Sequence, residues 1–185
     1  MFEQTLSRIG AALAANGLPY MVIGGQAALL YGNPRLTRDI DVTLGAGMER
    51  LAEVLRVAQG LRLRILPDDP DGFVRRTMVL PAADEATGIR VDFIFSFTPY
   101  ESEAIGRAKG MDIAGQTVYF ASPEDLVIHK IFAGRPRDME DVRAVLVKNS
   151  GMDLAYIRRW LAEFDAGIDR GGFLAAFEDI LKNIG

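Results

Sequence analysis

Residues 22–42 read VIGGQAALLYGNPRLTRDIDV. The apolar run Tyr20–Ile23 has the character of a buried strand and stops at Gly24-Gly25. Gln26–Tyr31 reads as a short helix and Gly32-Asn33-Pro34 as a loop. Asp39–Leu44 then alternates acid and apolar residues, the period of a strand. Two glycines between strand and helix let the backbone turn tightly and let a phosphate approach it. The N–H groups at the start of the following helix favour an anion. Taken alone, a strand–Gly-Gly–helix junction is more often only a turn.

In a strand, residues two apart share a face. Ile40 and Val42 therefore face the core, and the carboxylates of Asp39 and Asp41 face the other way. Two like charges so close repel one another, and a divalent cation removes that cost. Mg²⁺, or Mn²⁺ in its place, takes one or two carboxylates and completes its octahedron with waters and substrate phosphates. An exposed polar edge strand carries the same Asp-x-Asp text with no metal. Ile89–Phe95 changes the balance: it is a strongly apolar strand with Asp92 at its centre. Beside the first strand, Asp92 joins Asp39 and Asp41. Three carboxylates then suffice to clamp the attacking and leaving oxygens of an in-line displacement through bound metal ions.

Around this centre the chain reads as a mixed-sheet α/β core over residues 1–121 followed by a helical region over 122–185, the two standing apart or packing as one domain. Helices are expected over Phe2–Asn16 and Met48–Ala58, and strands over Leu61–Leu66, Val74–Leu80, Ile89–Ser96 and Gln116–Phe120. Ser122-Pro123-Glu124-Asp125 is a helix start, with a Ser cap, Pro at the first helical position and acids in the first turn. Helices are expected from there over Pro123–Phe132, Arg137–Lys148 and Leu154–Phe164, with a last one from Phe173. Tyr156, Trp160 and Phe164 form a helical stripe for the core or an interface.

Of the 185 residues, 49% are hydrophobic and 25% charged, enough for a core and its coat. No cysteine is present, which excludes disulfides, thiolate metal sites and a cysteine nucleophile. The start, Met-Phe-Glu-Gln, is not a basic region ahead of an apolar run, and no apolar stretch is long enough for a membrane span. A cytoplasmic protein with no membrane partner is the expectation. The net charge of −4 gives no global attraction to nucleic acid, so any such binding needs a local basic face. Arg62, Arg64, Arg75, Arg76, Arg90, Arg135 and Arg137 either build that face or pair with nearby acids.

The glycine pair, the spacing to Asp39-Ile-Asp41-Val and the later strand with Asp92 resemble the nucleotidyltransferase superfamily typified by DNA polymerase β. The text Arg35-x-Thr37-Arg38-Asp39-Ile40-Asp41 is similar to the AbiEii-type branch, which includes toxins of bacterial toxin–antitoxin and phage-defence systems. So is the segment from Pro123 to Val142, with Lys130 on one helix and a basic residue, Asp138 and Asp141 on the next. The resemblance implies a polymerase-β-like core that moves a nucleoside monophosphate from an NTP to a hydroxyl on RNA, tRNA or protein, with an antitoxin-type partner. It implies that Gly24 and Gly25 receive the triphosphate and that Asp39 and Asp41 hold Mg²⁺. In it Asp92 helps bind the catalytic metal and deprotonates the acceptor, Lys130 contacts phosphate, and Asp138 completes the site. Two rivals share the core: an aminoglycoside- or lincosamide-type adenylyltransferase, and a non-catalytic fold that binds a partner. Arg38 either serves the acids and phosphates or is a plain surface arginine. Lys130 on an apolar helix also fits a lysine that snorkels to water, and Asp138 and Asp141 also suit a helix start. His129, the one histidine, is read as structural.

Overall fold

A computed structural model describes residues 2–34, 36–96, 98–169 and 171–184. Arg35, quoted in the resemblance above, lies outside the described residues. The chain divides into two compact units, Met1–Gln26 with Leu36–Ala121, and Ala27–Arg35 with Ser122–Gly185.

The first unit is built on a seven-stranded mixed sheet. Its strands are β1 (Tyr20–Ile23), β2 (Asp39–Gly45), β3 (Leu63–Ile65), β4 (Val79–Asp84), β5 (Arg90–Ser96), β6 (Lys109–Ile113) and β7 (Gln116–Phe120), in the order β3-β4-β5-β2-β1-β7-β6. The pairs β2–β5 and β1–β7 are parallel, and the other neighbours are antiparallel. Every residue of β1 is buried, as its unbroken apolar text requires of a strand covered on both faces. In β5, Val91, Phe93 and Phe95 enter the core while Arg90, Asp92, Ile94 and Ser96 take the other face. In β2, Ile40, Val42 and Leu44 do the same opposite Asp39 and Asp41.

Helix α1 (Phe2–Ala15) buries Leu6, Ile9 and Leu13, one apolar stripe. It is tied to the end of β4 by Asp84, which is 1% exposed and accepts from Thr5 Oγ1 and Arg8 Nη1, each at 3.1 Å. Helix α2 (Gly24–Tyr31) leaves β1, and α3 (Leu51–Gly60) follows a 3-10 turn over Met48–Arg50.

Two stretches depart from expectation. Val74–Leu80 is not a strand: α4 (Pro70–Thr77) occupies its first half and β4 begins at Val79. The helix is set by its start, where Asp69 caps the N–H of Gly72 at 3.0 Å ahead of Pro70 and Asp71. That cap makes Val74–Thr77 the end of a helix, and Met78 closes it in the left-handed region. Between β5 and β7 the structure adds α5 (Pro99–Gly106), capped by Thr98, and β6, an exposed edge strand with little apolar text.

The second unit is helical, with α6 (Pro123–Ala133), α7 (Pro136–Lys148), α8 (Leu154–Gly167) and α9 (Phe173–Lys182). Ser122 caps α6 as expected, accepting from Asp125 N at 3.1 Å. Asp125, fully buried, accepts from Ser122 Oγ at 2.5 Å and from the Tyr156 hydroxyl at 2.7 Å, so the start of α6 is fastened to α8. Lys148 Nζ and Asn149 Nδ2 donate to the carbonyls of Gly32 and Tyr31, both at 2.9 Å, securing residues 27–34 to the end of α7. Burial first, then the charges of Glu124 and Asp125, push the Tyr31 hydroxyl up to about 12. Phe132 packs edge-on to Phe164 and stacks on Phe173. Among the described residues no helix is long and apolar enough to cross a membrane.

His129 is half-buried in this unit with its Nε2 shut off from solvent, and burial pushes its imidazole down to about 4 from an ordinary value of 6.5. The folded chain therefore keeps it neutral while the unfolded chain takes up a proton near 6.5, so acid favours unfolding through that window. Stability should fall by up to about 1.4 kcal/mol per pH unit between roughly pH 6.5 and 4 on this account. Urea unfolding at stepped pH measures it. His129→Gln should lose that component, and an unchanged acid slope in the variant would contradict the burial.

Candidate active site

The strand register of the first unit assembles the acids. Along the parallel pair β2–β5, Asp41 stands opposite Asp92 and Asp39 opposite Arg90. Registered neighbours in a sheet point to the same face, about 4.8 Å apart across strands. Asp39, Asp41, Arg90 and Asp92 therefore share one surface. Asp39 is exposed, while Asp41 and Asp92 are half-buried. The row is bounded by Ile23 of β1 beside Asp41 and by Pro81 of β4 beside Asp92.

Gly24 follows β1 directly and has φ +66°, a left-handed conformation. A Cβ built on it would lie 2.0 Å from Asp41 Oδ2. The first glycine of the pair is thus required twice, by its dihedral and by the carboxylate that fills the space of a side chain. The first N–H groups of α2 then emerge next to Asp41, a place where an anion bridged to that carboxylate by a cation is doubly favoured. Gly25 is buried in the first turn of α2, and Arg38 is exposed one residue ahead of β2.

The oxygen set suits a hard divalent cation. Among the described residues no group of three or more His, Cys, Asp or Glu side chains is placed to hold a metal ion. An open set of carboxylates beside a turn of backbone N–H groups fits an ion that Mg²⁺ chemistry completes with water and phosphate oxygens.

Of the two expectations for Arg90, a basic face or a nearby acid, the structure gives the second: its Nε is 3.0 Å from Asp92 Oδ1 and 3.2 Å from Oδ2, on the acid face. The i, i+2 spacing that unites Asp39 with Asp41 was the signal for it. The hydrogen bond and charge of Asp92 raise the Arg90 pKa, and Asp39 and Asp41 add to the shift.

In the second unit Lys130 is 4% exposed and sits between two carboxylates, Asp138 Oδ1 at 2.7 Å and Asp141 Oδ2 at 2.8 Å. Arg135 Nε reaches Asp138 Oδ2 at 2.5 Å. Burial alone would raise the Asp138 pKa; the hydrogen bonds from Arg135 and Lys130 outweigh it and hold the carboxyl below its usual range. The four side chains link the end of α6 to the start of α7.

A family model described as a nucleotidyltransferase of unknown function (DUF6036) matches residues 97–168, a stretch that holds Lys130 and Asp138 and leaves out the three strand acids. No curated protein matches by sequence. Solved structures match along most of the chain. ANT(2")-Ia in complex with adenylyl-2"-tobramycin has a TM-score of 0.61 at 20% identity, covering 89% of this chain and 97% of that one. An antigenic nucleotidyltransferase-like protein from Paracoccidioides brasiliensis has a TM-score of 0.57 at 14% identity, covering 94% and 92%. The lincosamide antibiotic adenylyltransferase LnuA, lincomycin-bound, has a TM-score of 0.53 at 14% identity, covering 77% and 94%. The fold is the mixed α/β fold of nucleotidyltransferases.

Gly24→Ala tests the fit of the turn to Asp41. It should cost about 1–2 kcal/mol of stability through the left-handed φ and displace the Asp41 carboxylate. Isothermal titration of the folded variant with Mg²⁺ and an NTP should show binding lost or weakened at least tenfold. Undiminished binding would contradict the contact.

Proposed function

We propose that this chain is a divalent-cation-dependent nucleotidyltransferase that moves a nucleoside monophosphate from an NTP to a hydroxyl acceptor. The observation that carries the reading is the placement of Asp39, Asp41 and Asp92 on one face, next to the Gly24 turn. Asp39 and Asp41 are the residues to hold Mg²⁺, with Asp92 beside them. The bound ion supplies charge neutralisation at the phosphates and the leaving pyrophosphate.

The chain's own groups do the rest. The N–H groups at Gly24 and Gly25 orient the phosphates. Arg38 adds positive charge at the rim. Asp92 accepts the proton of the acceptor hydroxyl as its oxygen forms the new bond to the α-phosphorus and the bond to the bridging oxygen breaks. Lys130 and Asp138 enter the proposal as a pair, the carboxylate holding the ammonium that would meet a phosphate. Lys130→Met separates the two roles: a phosphate contact raises the KM for nucleotide, whereas a purely structural pair costs only stability.

The similarity of the text around Lys130 and Asp138 to the AbiEii-type branch favours RNA, tRNA or protein as acceptor, and with it an antitoxin-type partner. The likeness over most of both chains to ANT(2")-Ia and LnuA favours a small antibiotic-like hydroxyl compound. Pairing of Arg75 with Asp71, Arg90 with Asp92 and Arg135 with Asp138 removes three arginines from the basic face that RNA needs. That observation puts the small acceptor on an equal footing.

Incubation with each NTP labelled at the α- or γ-phosphate, against total RNA, proteins, aminoglycosides and lincosamides, decides the matter. Label should move from the α-position alone. Asp41→Asn should lower transfer about a hundredfold or more, the scale on which one charge-stabilising group acts, with the melting temperature unchanged. An RNA acceptor loses affinity steeply with salt and a small neutral one does not. No α-label transfer to any of these classes, or an Asp41→Asn variant as active as wild type, would contradict the proposal.

A further inference from the structure

Arg90 opens β5 and stands opposite Asp39, two residues before Asp92 on the same face. One Nε–H spans both oxygens of Asp92, at 3.0 and 3.2 Å. The Arg90 side chain is 51% exposed and that of Asp92 18%. A half-buried carboxylate is thus held by a cation whose own stem is largely in solvent and can swing away. The same guanidinium lies in the field of Asp39 and Asp41.

A divalent ion arriving at this face meets two obstacles. It must displace the guanidinium from Asp92, and until the guanidinium leaves, it is repelled by it. A triphosphate reverses both effects, because phosphate oxygens give an arginine a bidentate partner at least as good as the one it leaves.

We propose that Arg90 is the built-in counter-ion of the carboxylate face, a positioning residue that holds Asp92 until cation and nucleotide arrive together. The inference rests on the reading of Asp39, Asp41 and Asp92 as the cation site. Its consequence is that Arg90 weakens binding of the cation alone and strengthens the coupling between cation and nucleotide. Linkage makes that coupling reciprocal: the nucleotide tightens the cation by the same factor as the cation tightens the nucleotide.

Titration of Mn²⁺ by electron paramagnetic resonance of the free ion tests this without turnover. The proteins are wild type, Arg90→Gln, Arg90→Lys and Asp41→Asn, each with and without a non-hydrolysable NTP analogue. Because Arg90 is exposed, the melting temperatures should agree and confirm folding. Arg90→Gln should bind Mn²⁺ alone about tenfold more tightly, the scale of one unit charge acting on a divalent ion across roughly 5 Å of water-like medium. The analogue should then improve Mn²⁺ affinity less than in wild type. Arg90→Lys, which keeps the charge, should stay within about threefold of wild type on the same estimate.

Equal or weaker Mn²⁺ binding in Arg90→Gln, with Asp41→Asn still abolishing binding, overturns this inference and leaves the reading of the site standing. Mn²⁺ binding that survives Asp41→Asn overturns both.

Discussion

The close approach of the Asp41 carboxylate to Gly24 is the constraint on which the rest of the candidate site depends. One oxygen of Asp41 occupies the volume where any other residue at position 24 would carry its Cβ. Glycine is the residue that fits this turn without displacing Asp41, and it takes the left-handed φ there without strain. This single contact joins a strand end, a helix start and a carboxylate. In the proposed reading, it brings the backbone N–H groups meant for phosphate next to the side-chain oxygen meant for a cation.

The second element is register. β2 and β5 run parallel over their full lengths, Asp39–Gly45 against Arg90–Ser96. A slip by one residue would turn Asp92 into the core and Val91 out of it. Burial of Val91, Phe93 and Phe95 on one face and of Ile40, Val42 and Leu44 on the adjacent strand prevents that slip. The hydrophobic core of the first unit thus sets the spacing of the acids. Charge repulsion among Asp39, Asp41 and Asp92 opposes the arrangement, and Arg90 relieves part of it. A face that needs a cation to be comfortable, and carries one on a solvent-exposed stem, is suited to exchanging that cation for another.

Much of this was legible in the text. The alternation of Asp39–Leu44, the apolar strand around Asp92 and the Gly24-Gly25 break each declare themselves through local period and composition. So does the Ser122-Pro123 start of α6. What was not legible depends on distance along the chain. That Asp41 faces Asp92 follows from pairing strands some fifty residues apart, which no local period encodes. Arg90 reads either as part of a basic surface or as the partner of a nearby acid, and only the strand face it shares with Asp92 decides between the two. Lys130 reads locally as a lysine on an apolar helix; only the fold shows it enclosed by Asp138 and Asp141 of the next helix. Val74–Leu80 misleads for a different reason: its apolar end belongs to β4, while the Asp69-Pro70 cap upstream decides that the segment starts as helix.

The most direct measurement of the central claim is a crystal structure grown with Mn²⁺ and a non-hydrolysable NTP, read through the anomalous signal of the metal. The account predicts a metal peak on the β2–β5 face about 2.1 Å from oxygens of Asp41 and Asp39 or Asp92, at the octahedral distance such ions demand. It predicts nucleotide phosphates over the Gly24-Gly25 turn. Metal and nucleotide bound away from these carboxylates, with Asp41 still packed against Gly24, would contradict it.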